Sequence, residues 1–241
     1  MHPVLIRQLS LDYSLTPEEV CDGKNHFTAY EPHTGMRLFD SDGSECFLKA
    51  CGTGNSLLMT GREDVISILS EKLQDACGAW VFEFGTLSSI DNLIRKYGYR
   101  ISQVHIFFIS DKASSIPPEG ITAYTRDEIK QFESAGFDEA FLFSERTPDI
   151  YGASISENGN IVAMAGASLD SPYMMQVGVN VAEGCEGKGY ATRCVSAVRD
   201  MAVNECFLVY YGTSVSHIAS QRVALNAGFV PAFCELITEK L

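Results

Sequence analysis

The chain of 241 residues has no apolar run near the roughly 18 residues of a membrane span, which argues against a membrane-spanning protein. Positive charge is also scarce. Eighteen Lys and Arg face 31 Asp and Glu, a net charge of −13, so nucleic acid phosphates would meet no basic face. None of the eight cysteines (Cys21, Cys46, Cys51, Cys77, Cys185, Cys194, Cys206, Cys234) forms a CxxC pair. A structural zinc is therefore not expected, and the thiols read as free and mostly buried. The segment MHPVLIRQLSLDYSL lacks the charged start, long apolar region and cleavage site of a signal peptide, so a cytoplasmic address is expected. What remains is 46% hydrophobic and 20% charged, the composition of a globular protein with room for one large or two small domains.

SDKASSIPPEG (110–120) carries two adjacent prolines and no apolar periodicity, and reads as a linker. It separates a module at 1–115 from a domain at 116–241. The first part holds 10 basic and 15 acidic residues and the second 8 and 16, so neither is a basic module. In the second part, ITAYT predicts a strand and RDEIKQFESA a helix. YGASISENGNIVAMAGASL predicts a hairpin turning at Glu157-Asn158-Gly159-Asn160. MMQVGVNVAE follows as a strand with Met175, Val177, Val179 and Val181 on one face and Gln176, Gly178 and Asn180 on the other. A glycine turn opens a helix to about Asn204. CFLVYYG then reads as a buried strand, SHIASQRVALNAG as a helix ended by Gly228, and FVPAFCELI as a last strand.

The first part repeats some of this order. VFEFGT and LVYYGT, IDNLIRKYGY and SQRVALNAGF, and ISQVHIFFI and VPAFCELI correspond in turn. Their Gly-Thr pairs lie 127 residues apart and their Gly-aromatic pairs 130, which suggests a degenerate duplication. Where the second part has GKGYAT, the first has Thr60-Gly61-Arg62-Glu63-Asp64-Val65. Two acids in a first helical turn suit the helix dipole and repel a phosphate. The copy, if it is one, has lost its anion site.

A strand running into Gly-x-Gly and then a helix turns unpaired N–H groups toward one point at a positive helix end. The P-loop reading fails, because Tyr190-Ala191 stands where Lys-Ser/Thr is needed after Gly184 and Gly189. The dinucleotide fingerprint fails too, with Thr192 in place of its third glycine.

VNVAEGCEGKGYATRCVSAV resembles the acyl-CoA pyrophosphate loop of the GNAT N-acetyltransferase superfamily, with the pattern falling on Glu186, Gly187, Lys188, Gly189, Tyr190 and Ala191. HIASQRVALNAGF resembles its second signature, through Ser220 and Gly228-Phe229, with His217 at the usual Asn. The two motifs span roughly residues 120–241. The resemblance implies an α/β (α+β) fold, a mixed central sheet flanked by helices, beside a smaller α/β N-terminal module that serves as a structural or substrate-side wall. It implies acetyl-CoA as co-substrate and no metal. The amides from Gly187 to Thr192 would hold the pyrophosphate. Val179, Asn180 and Val181 would meet the pantetheine and thioester, with His217 and Ser220 beside them. Ser220 also enters the catalytic set, with Glu183, Gln176 and Asp170 as candidates to take the amine proton or to position the amine; Glu145 is a further carboxylate considered.

Two features depart from the pattern. Ala224 stands where many members have a tyrosine acid, and Glu186 places a carboxylate at the phosphate loop. The expected reaction is acetyl transfer to a primary amine of a small, cationic molecule, without nucleic acid or membrane partners, and a homodimer is compatible with it. A non-catalytic acyl-CoA-binding or regulatory protein is the alternative, and a nucleotide-binding protein the third. His2, His26, His33 and His105 read as structural and Trp80 as core. Glu18-Glu19 and Asp138-Glu139 read as helix starts or solvated faces.

Overall fold

The computed structural model describes residues 1–37, 46–116 and 118–241; Pro117, within the linker stretch, lies outside them. By contacts the chain divides into Met1–Phe107 with Ala232–Leu241, and Phe108–Pro231. The first unit opens with α1 (Pro3–Asp12), whose proline sits in the first turn and whose cap is the His2 ring, accepting from the Val4 N–H at 3.2 Å. In α2 (Pro17–Cys21) Thr16 and Glu19 form a reciprocal capping box. The chain continues through β1 (His26–Ala29), β2 (Leu48–Gly52), β3 (Leu57–Gly61), α3 (Glu63–Leu73), α4 (Phe84–Ile94) and β4 (Tyr99–Ser110).

The second unit runs β5 (Thr122–Thr125), α5 (Arg126–Ile129), β6 (Asp149–Glu157), β7 (Asn160–Leu169), β8 (Met174–Val181), α6 (Tyr190–Asn204), β9 (Leu208–Ser214) and α7 (Ile218–Asn226). The closing strand is β10 (Val230–Lys240). Strand order in the first unit is β1-β3-β2-β10-β4, and in the second β9-β8-β7-β6-β5. The mixed α/β architecture expected of the chain is present. The contact division differs from the boundary read at the linker in two places: it falls after Phe107 rather than after residue 115, and it returns Ala232–Leu241 to the first unit, where β10 pairs antiparallel with β2.

In the first unit β2 and β3 are buried along their whole length and pack with Val65, Ile66, Leu69, Ile90 and Ile94 of α3 and α4. Beside this apolar core lies a buried ionic group. Arg37 donates to Asp12 and to Glu235, each at 2.6 Å, and the Tyr13 hydroxyl donates to Glu235 at 3.0 Å. Burial, then the Glu235 charge, holds the Tyr13 phenol well above its ordinary range.

Four expectations are corrected here. Trp80 is 65% exposed rather than core. Gly78 lies against the Asn55 and Ser56 backbone, which admits no side chain there, and the short turn then sends Val81 inward and Trp80 outward. VFEFGT is not the counterpart of β9: Phe84 already begins α4, and only the helix, left-handed glycine and strand that follow (Gly98 and Gly228) match. Of the eight thiols only Cys51 and Cys194 are buried, and Cys21, Cys77 and Cys206 are exposed. Finally, the helix expected over 126–135 stops at Ile129, followed by a 3₁₀ turn to Phe132. Phe132 packs on Tyr124, Phe137 and Phe141, and the chain turns back through Ser134 in the left-handed region, so packing overrides propensity.

The hairpin turn is as read, with Asn158 and Gly159 both at positive φ, the backbone a two-residue turn of this type requires. Across the meander, Gly152, Gly166 and Gly178 stand opposite one another in register on β6, β7 and β8. They leave a furrow in one sheet face, and the segment around Glu139–Phe141 lies in it. A β-carbon at Gly166 or Gly178 would fall 2.1 Å from the Ala140 carbonyl or 1.8 Å from that of Glu139. Asn180 fixes the same segment, its side-chain oxygen accepting from the Glu139 and Ala140 amides at 3.1 and 2.7 Å.

Candidate active site

Two local features of the second unit meet along β8. The first is the glycine loop. Gly184, Gly187 and Gly189 all adopt left-handed backbone, and a β-carbon on any of them would meet nothing within 4 Å. Their role is therefore conformational, and the space beside them is open. Gly189 is the N-cap of α6 and offers no side-chain oxygen, so the N–H groups of Tyr190, Ala191 and Thr192 receive no cap from it. The uncapped start of a fifteen-residue helix beside open space presents the positive end of its dipole and unpaired N–H groups, the features by which helix starts attract anions.

The charges around this loop are mixed. Glu186 is exposed. Lys188 and Arg193 flank the Tyr190 ring, each 5.8 Å from its centroid. Glu157, from the hairpin turn, accepts the Tyr190 hydroxyl hydrogen bond and lies 3.9 Å from the Lys188 ammonium. The hydrogen bond to Glu157 pushes the Tyr190 phenol up. Sequence reading missed Glu157 and Arg193. Glu157 lies 33 residues from Tyr190 in sequence, and only the turn of the hairpin carries it there.

The second feature is an opening between strands. β8 and β9 pair in parallel at Met174–Leu208, Met175–Val209 and Gln176–Tyr210, and the ladder ends there. Beyond it Val177 to Val181 pair with β7 alone, in register from Ala167 to Ala163. The β8 backbone at Val179 and Val181 thus borders the opening and leads directly into the glycine loop.

At the closed end of the opening, neighbouring tyrosines face opposite ways. Tyr211 hydrogen-bonds Ser220 of α7, oxygen to oxygen 2.9 Å, and packs edge-on against Phe229. Burial raises the Tyr211 phenol, an effect the Ser220 hydrogen bond reduces and the Glu139 charge increases. Tyr210 faces the furrow side. Its hydroxyl donates to Asp170 at 2.5 Å and lies 3.1 Å from the Gln176 side-chain amide, while Ser168 donates to the other Asp170 oxygen at 2.8 Å.

The structure therefore gathers two of the four catalytic candidates, Asp170 and Gln176, around Tyr210, and joins Ser220 to Tyr211. Glu183 stands apart. It is exposed beyond the other end of β8, and the strand from Gln176 to Val181 alone spans about 16 Å. Glu145 is exposed beside Arg126. His217 is exposed at the start of α7, without a side-chain cap bond to the helix. Asn180 commits its side-chain oxygen to the Glu139–Ala140 amides, which leaves its backbone for the opening. Ala224, at the usual tyrosine position, is fully buried. Among the described residues no group of three or more His, Cys, Asp or Glu is placed to hold a metal, and no helix is long and apolar enough to cross a membrane.

A sequence model described as Acetyltransferase (GNAT) family matches residues 118–229. Among curated proteins none matches the chain in sequence. Among solved structures the chain is similar to a GCN5-related N-acetyltransferase-like protein from Streptococcus suis 89/1591, at 14% identity over 87% of this chain and 89% of that one, TM-score 0.48. It is also similar to a GCN5-related N-acetyltransferase from Kribbella flavida, at 16% identity over 64% and 63%, TM-score 0.46. A tandem GNAT protein from the clavulanic acid biosynthesis pathway shows 12% identity over 62% and 57%, TM-score 0.44. The chain spans less than two thirds of the length of these last two. Residues 118–229 are thus similar to the GNAT acetyltransferase family, and that match covers both the glycine loop and the parted strands.

Proposed function

We propose that the chain transfers an acetyl group from acetyl-CoA to a primary amine of a small molecule, by direct attack of the amine. One observation carries this reading: the opening where β8 leaves β9 runs into the uncapped start of α6. A pyrophosphate on the amides from Gly187 to Thr192 leaves the strand edge at Val179 and Val181 for the pantetheine arm and the thioester carbonyl. Lys188 and Arg193 add positive charge beside the phosphates. Ser220, joined to Tyr211, lies on the α7 side, where it serves the departing sulfur in place of the tyrosine missing at Ala224. Asp170, Gln176 and Glu183 are the candidates for the amine side, where an alkylammonium must lose a proton before it attacks.

The acceptor is a small cationic amine, a choice supported by the excess of acid in the chain, 31 acidic against 18 basic residues. Two measurements test the reading. Calorimetry is expected to detect acetyl-CoA binding at sub-millimolar concentration, and thiol release is expected with at least one member of an amine panel. No binding refutes the first step, and turnover with neutral or acidic acceptors alone refutes the cationic acceptor. The second reading, a non-catalytic acyl-CoA-binding protein, is favoured by Ala224, Glu157 and Glu186. Binding without thiol release across the panel supports it.

A further inference from the structure

We propose that Glu139 is the cation anchor of the acceptor side, and that the preferred acceptor carries a second ammonium group besides the amine that reacts. The inference rests on the transfer reading above and narrows its acceptor class. Beyond Gln176, β8 has parted from β9, and Val177 to Val181 pair with β7 alone. The segment around Glu139–Phe141 is fastened to two residues of this free stretch. The Asn180 side-chain oxygen accepts from the Glu139 amide at 3.1 Å and from the Ala140 amide at 2.7 Å. The Glu139 carbonyl lies against Gly178, where a β-carbon would come within 1.8 Å of it. Between these two points stands Val179, whose backbone the transfer reading assigns to the thioester.

The backbone of Glu139 is thus held at its amide and at its carbonyl, while its side chain is exposed. A carboxylate so placed is fixed in position and still hydrated, so pairing with a cation from solution costs little ordering and little desolvation. Its charge is felt inside the opening. Burial is the main cause of the raised Tyr211 phenol, the Ser220 hydrogen bond offsets part of it, and the Glu139 charge adds to it. The carboxylate therefore lies within electrostatic reach of the Tyr211–Ser220 pair assigned to the departing sulfur.

Other carboxylates suit this role less well. Asp170 has 5% of its surface exposed, and Glu183 lies beyond the loop end of β8. Asp138 turns toward Asn180, whose side-chain nitrogen donates to it at 3.5 Å. Lys188 and Arg193 stand beyond the loop end as well, beside Tyr190. An anionic donor and a cationic acceptor then meet charges of opposite sign at successive points along β8.

An acceptor with two amines divides its groups accordingly. One ammonium stays charged and pairs with Glu139. The other loses a proton to water, its lone pair forms the C–N bond as the thioester C–S bond breaks, and a second nitrogen proton goes to the departing sulfur. Glu139 contributes attraction and position to this step, and no proton.

The test uses the full-length protein and diamines of increasing length, each against the monoamine of equal carbon number, diaminobutane and butylamine among them. The wild type is expected to favour the best diamine about tenfold in kcat/KM. Roughly twofold of this reflects two reactive ends, and the rest is the scale of a charge pair at an exposed site, carried by KM and reduced at high salt. In Glu139→Gln the preference falls to about twofold, while butylamine turnover, acetyl-CoA affinity and melting temperature stay near those of the wild type. Asp138→Asn keeps the preference. A wild type that favours no diamine by more than twofold, or a folded Glu139→Gln that keeps the preference, overturns the anchor. Equal losses in the two variants overturn it too, since diffuse acidity then accounts for the attraction. A wild type that binds acetyl-CoA and acetylates no amine of either kind overturns the transfer reading itself, and that outcome is distinct because no amine is turned over at all.

Discussion

The chain contains two strand–turn–helix units whose helices begin in opposite ways. At α3, Arg62 precedes Glu63 and Asp64, Asp64 accepts from the Val65 amide at 3.0 Å, and Arg62 pairs with Asp64 at 2.8 Å. At α6, Gly189 precedes Tyr190, Ala191 and Thr192, and the helix has no acid in its first turn. The first helix end is neutralised by its own side chains and the second has no acid of its own in that turn. A helix start becomes a binding site when the sequence withholds internal partners, and the dipole alone does not decide it.

Placing an α3-type acid in α6 is expected to have the largest effect. Ala191→Asp reduces acetyl-CoA affinity by more than about tenfold in calorimetry while circular dichroism stays native. Next comes Gly187→Ala, which forces a side chain into left-handed backbone (φ 75°) at a cost of about 1–2 kcal/mol. Affinity is expected to fall by roughly five- to tenfold, with a melting temperature lower by a few degrees. Opposite in sign is Glu157→Gln, which releases Lys188 and Tyr190 and tightens acetyl-CoA about two- to threefold, less at high salt. Glu186→Gln tightens it by less, since Glu186 is exposed. Equal effects at both positions would mean that the hairpin carboxylate is no more coupled to the loop than a solvated one. The smallest change is in α3, where Asp64→Ala lowers stability by about 0.5 kcal/mol in urea unfolding and leaves acetyl-CoA affinity untouched.

The α6 site was legible because its signal is local. Three glycines within six residues, a strand before and a helix after can be read from one short stretch. The alternation of β8, the turn at Asn158-Gly159 and the stop at Gly228 were equally plain for the same reason. Where tertiary packing decides, the pattern misled: RDEIKQFESA has helical periodicity, but the Phe132, Phe137 and Phe141 cluster bends it away after Ile129. Trp80 failed similarly, because close backbone approach at Gly78, invisible in composition, sets which neighbour faces in. Asp170 could be picked as a carboxylate in the turn before β8 and Gln176 as a polar residue within that strand. Their junction at Tyr210 could not, because it depends on the register of β8 against β9, with 40 residues between Asp170 and Tyr210. Glu183, their equal in the sequence, lies exposed beyond the other end of β8.

The row of Gly152, Gly166 and Gly178 also bears on how the second unit folds. Side chains alternate along a strand, so a slip of one residue in β7 replaces Gly166 with Ala165 or Ala167 in the furrow and closes it. The segment carrying Ala140 and Phe141 can dock only on a meander whose three strands are already correctly aligned. The glycines thus act as a proofreading gauge, admitting the last segment only after the earlier pairing is right. In refolding followed by pulsed hydrogen exchange, the Ala140 amide is expected to gain protection after the amides of β7, and Gly166→Ala is expected to delay that step while leaving the meander itself to form.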